Sequence, residues 1–310
     1  MILPTEQQKA EILRDIQGRW PYSVEYLNSS EKHSIEGVSR DWRILFLIEK
    51  QNDEICLEAV RKHGCALQYV EIQTPLICLE AVRNYPCALQ YVETQTLDMC
   101  LMAVRDDRDA LQFVLDQTEE ICRLAMKNIC EPLRHIRNQT DKFCLEVVTR
   151  NGIALQWVKN KIPEICLAAV TQFSWAIEFV EEQNEEICVM AVKKIGGTIK
   201  HVKNKTKKVC LAAVTCSISH SFYNTHALTL IEQDEELCLA AVKKRGCSLE
   251  FVDDQTFGVC VAAITNPVWH EHPWQVSDDK KLEMVRDPEM RDMCRRHINS
   301  LSRKNEMIAH

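Results

Sequence analysis

The sequence predicts an all-α solenoid of tandem 22-residue helix-turn-helix repeats, and three observations predict it. Cysteine returns every 22 residues at Cys56, Cys78, Cys100, Cys122, Cys144, Cys166, Cys188 and Cys210, then resumes after a six-residue insertion at Cys238 and Cys260. A fixed period of this size marks stacked repeats. Around these cysteines the apolar residues keep helical spacing, and four positions before nine of the ten stands a residue able to cap a helix.

Residues 52–73, NDEICLEAVRKHGCALQYVEIQ, serve as the type unit. Ile55, Cys56, Ala59 and Val60 fall on one face of a first helix. Gly64, Gly152, Gly196 and Gly246 share one repeat position, where a helix is expected to stop. A second short helix follows, with Ala66, Leu67, Tyr69 and Val70 as its apolar face. Asn52, Thr74, Thr96, Thr118, Thr140, Asn184, Thr206, Asp234 and Thr256 supply the caps, with Ile162 the exception. Pro75 and Pro163 take the first helical position, where a missing N–H costs nothing. Acids gather in the first turn and bases in the last, which complements the helix dipole and predicts an acidic and a basic ridge.

Residues 1–30 read as a degenerate N-terminal capping repeat. Residues 31–266 form the tandem array, with the insertion near 216–226, and residues 267–310 form a C-terminal helical cap. In that cap Asp287 and Pro288 open a last helix carrying Met293, Cys294, Ile298 and Leu301. Glycine and proline number only 8 and 9, no stretch reads as a linker, and a single elongated body is expected. Neither a run of 18 apolar residues nor a basic-then-apolar leader is present, so an intracellular protein without a membrane span is expected.

The repeated pattern CLEAVR, CALQYVE, QT resembles the short helical repeat of unknown function (domain of unknown function 4116) found largely in giant DNA viruses of amoebae. The resemblance covers roughly residues 31–266 and implies a helical repeat fold, a viral origin and a place in the host cytoplasm. It implies no activity or catalytic residue.

Chemistry-bearing patterns are few. Gly196-Gly197 is followed by Thr198 rather than lysine, and no nucleophile-elbow or zincin pattern occurs. No enzyme and no cofactor is predicted. The 16 cysteines would suggest disulfides, but equivalent helices packed ~8–10 Å apart exceed the reach of ~7 Å, so the ladder reads as small buried hydrophobes in a reducing compartment. Cys216, His220 and His226, or Cys294 and His297 with His270 or His272, offer only half of a zinc pattern, so no metal is predicted.

Two features point to binding. An aromatic column recurs in the second helix (Tyr69, Tyr91, Phe113, His135, Trp157, Phe179, His201, Phe251) and is expected to pack in the core. The position before it varies, and its Gln68, Gln90, Gln112 and Gln156 read as a recognition column. From Ile187 to Ile231 there is no acid but seven lysines: Lys193, Lys194, Lys200, Lys203, Lys205, Lys207 and Lys208. Lys207 and Lys208 replace the usual first-turn acids at a local cost with no evident folding benefit. These residues predict a non-catalytic scaffold for an unidentified protein partner, with a host protein as one candidate. The alternative is nucleic acid or another acidic ligand on the lysine patch, although the chain's net charge of -7 opposes it.

Overall fold

The computed structural model describes residue 14 and residues 23–127, 129–216, 225–268 and 277–308. The described residues are all-α, and the chain divides into two compact units, Met1–Asn138 and Gln139–His310. Each is a stack of helical repeats. Leu13, Trp20 and the other residues of 1–22 apart from residue 14 lie outside the described part, as do 217–224 of the insertion.

The type unit folds as an α-helix, Asp53–Lys62, followed by a six-residue 3₁₀ helix, Gly64–Tyr69. Ile55, Cys56, Ala59 and Val60 are all buried, as the spacing predicts. The second helix is tighter than an α-helix, and three residues per turn divide it into three faces. Gly64, Leu67 and Val70 form one, Ala66 and Tyr69 a second, and Cys65 and Gln68 a third. The first two faces are buried and the third is half-buried. Pro75–Asn84 with Pro86–Tyr91, and Leu97–Asp106 with Arg108–Phe113, repeat the design in the first unit. Asp141–Arg150 with Gly152–Trp157, and Glu185–Lys194 with Gly196–His201, repeat it in the second.

The caps form as predicted. Asn52 accepts the Ile55 amide, Thr118 that of Ile121, Asn184 that of Ile187 and Asp234 that of Leu237. Ile162 makes no side-chain cap. Glu31–Arg40 and Trp42–Leu47 show that the array begins before Cys56, with buried Ser34 at the ladder position.

The glycines act otherwise than expected. No described glycine has a positive φ, so none is a left-handed helix stop. The helix before Gly64 ends at extended His63, and Gly64 opens the 3₁₀ helix. Its Cα lies against the next repeat: a Cβ there would stand 2.3 Å from the Ala81 carbonyl oxygen and 2.8 Å from the Tyr85 Cβ. Gly152 meets Ala169 and Phe173 in the same way. Glycine is needed because neighbouring backbones touch, not because the chain turns.

At the far end, the bend around Leu282 and Val285, both buried, closes the array, and Pro288–Ile308 packs on the last repeat helix, Phe257–Ile264. Cys294 is fully buried and Ile298 half-buried, whereas Met293 and Leu301 are exposed. The inward face of this helix is therefore narrower than the four apolar residues suggested.

Candidate functional site

All ten ladder cysteines are buried, and none is in a disulfide. Burial raises their thiol pKa values, to about 11 for Cys56 and about 12 for Cys260, where the Cys294 thiol adds to the effect. Protonated buried thiols are poor nucleophiles and poor metal ligands. The ladder is packing.

Its partner is a ladder of glutamines. Gln51 Nε2 donates to the carbonyls of Leu45 (3.1 Å) and, in the next repeat, Tyr69 (2.9 Å). Its Oε1 accepts the Glu71 amide at 3.0 Å and lies 3.5 Å from the Cys56 Sγ. Gln73, Gln95 and Gln117 bridge to residues 91 and 93, 113 and 115, and 135 and 137. Gln139, Gln183 and Gln233 do the same in the second unit. Gln255 ties Met284 and Arg286, so the C-terminal segment is received as one more repeat. The rung stands five residues before eight of the ten ladder cysteines. That period was readable in the sequence, yet glutamine's chemistry named no partner for it. Lys161 and Lys205 break it; Cys166 and Cys210 there meet backbone carbonyls, as Cys122 and Cys260 do beside the intact rungs Gln117 and Gln255.

The aromatic column is a border rather than a core. Tyr69 is buried, whereas Tyr91, Phe113, His135, Trp157, Phe179, His201 and Phe251 are half-buried, beside fully buried leucine or isoleucine and valine neighbours. The glutamines before it do lie on the outer face of the 3₁₀ helices. Gln90 and Gln112 are exposed, and Gln68 and Gln156 half-buried. Each donates to its own helix, at the carbonyls of Cys65, Cys87, Asp109 and Ile153. Gln68, Gln90 and Gln112 belong to the first unit and Gln156 to the second.

All seven lysines are exposed and lie in the second unit, but they do not form one patch. Lys194 reaches the Thr171 carbonyl at the end of the preceding helix, while Lys208 meets Glu185 at the start of one, at 3.0 Å. Like ends of successive helices are thus together, and a ten-residue helix sets the two edges ~15 Å apart. Lys193 and Lys194 stand on the helix-end edge, Lys203, Lys205, Lys207 and Lys208 on the helix-start edge. Lys200 lies 4.7 Å over the Trp175 ring. Lys203 and Lys205 donate to the carbonyls of Glu181 and Leu230, each at 2.6 Å.

Lys207 and Lys208 find partners in neighbouring repeats, in exposed ion pairs. Lys207 pairs with Asp234 and Glu236 of the following repeat, and Lys208 with Glu185 of the preceding one. The hydrogen bond from Lys208, with one from Thr206, holds the Glu185 carboxyl below its usual range, and Glu236 holds Lys207 above its own. Two lysines at one helix start complete acidic starts on both sides. The sequence gap in acids is filled in space from neighbouring repeats.

Among the described residues no group of histidine, cysteine, aspartate or glutamate could hold a metal ion. His297 meets the Phe257 ring edge-on, whereas His220, His270, His272 and the His226 side chain lie outside the described part. No described helix is long and apolar enough to cross a membrane. Comparison of the chain with family models, with curated proteins and with solved structures finds no match.

Proposed function

We propose that the protein is a non-catalytic scaffold that binds another protein along the edges of its repeat stacks. One observation carries the reading: the glutamine ladder holds the backbone of successive repeats in register while the side chains at the same edge positions change from repeat to repeat. Gln73, Gln95 and Gln117 receive the amides of Glu93, Leu115 and Arg137, three different side chains on one frame. A preordered frame with variable outward chemistry lowers the ordering cost of binding and encodes a partner. Buried, protonated thiols suit a reducing compartment. The resemblance to the giant-virus repeat supports a viral protein acting in host cytoplasm.

The alternative, an acidic ligand on the lysines, has less support, because the lysines lie on two edges and all but Lys193 have partners within the stack. Capture of partners from the natural cell by tagged protein, followed by mass spectrometry, tests the scaffold reading. A stoichiometric protein partner is expected, and its reproducible absence overturns the reading. Nucleic-acid binding that falls steeply with salt and disappears in a variant with Lys203, Lys205, Lys207 and Lys208 changed to Glu would favour the alternative.

A further inference from the structure

Four of the five most exposed large apolar side chains among the described residues lie on one edge of the first unit: Ile72 (77 %), Leu115 (62 %), Leu76 (53 %) and Leu97 (48 %). They occupy the bend after a 3₁₀ helix or the first turn of the α-helix that follows. Leu76 and Leu97 stand where other repeats carry Asp53 and Glu54, Glu185 and Glu186, or Glu235 and Glu236. An acid there complements the helix dipole, so leucine forgoes a favourable term and remains in water.

The surroundings indicate what the edge binds. Asp53, Glu71, Glu93, Asp98 and Asp116 are exposed around the four aliphatic residues, and no ion pair with another described residue engages them. The bend is also rigid, since the amides of Glu71, Glu93 and Leu115 are held by glutamine rungs. The four aliphatic residues occupy four different positions of the 22-residue repeat and lie along about two repeat steps of ~8–10 Å each, a length that about 11–13 residues of an α-helix span. A ligand helix laid along this edge would present apolar anchors to the aliphatic residues, with cations between them facing the carboxylates.

We propose that the helix-start edge of the first unit, from Ile72 to Leu115, is a docking site for a cationic amphipathic helix of a partner protein. The proposal rests on the scaffold reading and specifies its surface and the chemistry of its partner. Burial of exposed aliphatic side chains supplies affinity, and the acidic surround selects a basic ligand and speeds encounter.

The test uses the full chain and a lysine–leucine peptide of about 18 residues, roughly 27 Å of helix, with leucines at helical spacing. The control peptide has the same composition in an order that gives no apolar face. Fluorescence anisotropy at near-physiological salt should show the amphipathic peptide binding at least about tenfold tighter than the control. The double variant Ile72→Ser/Leu115→Ser should lose that preference, and both substitutions are at exposed positions, so unfolding should match the parent. Leu97→Glu provides a second variant at a helix start where glutamate is the ordinary residue. Equal binding of the two peptides, or an unchanged preference in both variants, overturns the proposal. Retention by phosphatidylserine vesicles that depends on Ile72 and Leu115, without peptide preference, overturns it in favour of a membrane surface. Should partner capture succeed equally with Ile72→Ser/Leu115→Ser, the scaffold reading stands and this edge is not its site.

Discussion

The helix-start edge carries exposed aliphatic residues in the unit Met1–Asn138, beside acids such as Asp53 and Asp98 that no ion pair with another described residue engages, but lysine–glutamate pairs in Gln139–His310. Position for position these edges are equivalent. Leu97 in one corresponds to Lys207 in the other, and Leu115 to Lys203. The backbone beneath them is also equivalent, with Leu115 and Lys203 each giving an amide to a glutamine rung. The frame is therefore indifferent to what it displays. The second unit joins neighbouring repeats at this edge with lysine–carboxylate pairs, whereas from Ile72 to Leu97 the first leaves aliphatic side chains facing water.

The largest effect should come from breaking the shared frame. Gly64→Val in the first unit and Gly152→Val in the second should each cost about 3 kcal/mol or more, because the new side chain meets a neighbouring carbonyl that cannot withdraw. Urea unfolding measures this, and a loss below about 1 kcal/mol at either site would show that the repeats can slide apart.

Next in size is the rung. Gln95→Ala removes the partner of the Leu115 amide and of the Leu89 and Phe113 carbonyls, for an expected loss of about 2–3 kcal/mol. The Leu115 amide should lose its protection from hydrogen exchange, and retained protection would contradict the role given to Gln95. In the second unit the opposite change is informative. Lys161→Gln should restore a rung and stabilise by about 1 kcal/mol, provided the glutamine reaches Phe179 as its counterparts reach their aromatic residues. A stability decrease would mean that the Lys161–Glu181 pair, at 3.3 Å, is worth more than the rung.

Leu97→Glu should leave the first unit slightly more stable, by about 0.5 kcal/mol, through the helix dipole. A clear destabilisation would mean that Leu97 serves folding, and the contrast between the edges would weaken.

The smallest effects are electrostatic. The Glu185 carboxyl is depressed by Lys208 and Thr206, so its contribution is present above the ordinary carboxylate range and is lost as pH falls through the depressed value. Lys207 is raised by Glu236, so its contribution is present below the ordinary ammonium range and is lost as pH rises through the raised value. Replacing Lys208 with Ala should move the Glu185 titration, followed by NMR, back towards the usual carboxylate range. An unmoved titration would show that the pair does not persist in solution.

The sequence alone determined the period, the caps, the buried face of each first helix and the reading of the ladder as packing. These follow from neighbours along the chain: Asn52 caps Ile55 three residues away, and Ile55, Cys56, Ala59 and Val60 share a face because an α-helix turns every 3.6 residues. Only the tertiary structure decided what reaches across repeats. Gly64 matters because of Ala81, Gln51 because of Tyr69 and Glu71, and Lys208 because of Glu185. The aromatic column shares a 3₁₀ face with a buried residue three positions before it, yet seven of its eight members are only half-buried, which a short apolar run does not reveal. Ile72 and Leu115 looked unremarkable in the sequence, since exposure depends on which neighbours the stack brings near, and both side chains remain largely exposed there. Local periodicity specifies one repeat, but the meaning of its outward residues is set by the repeats on either side.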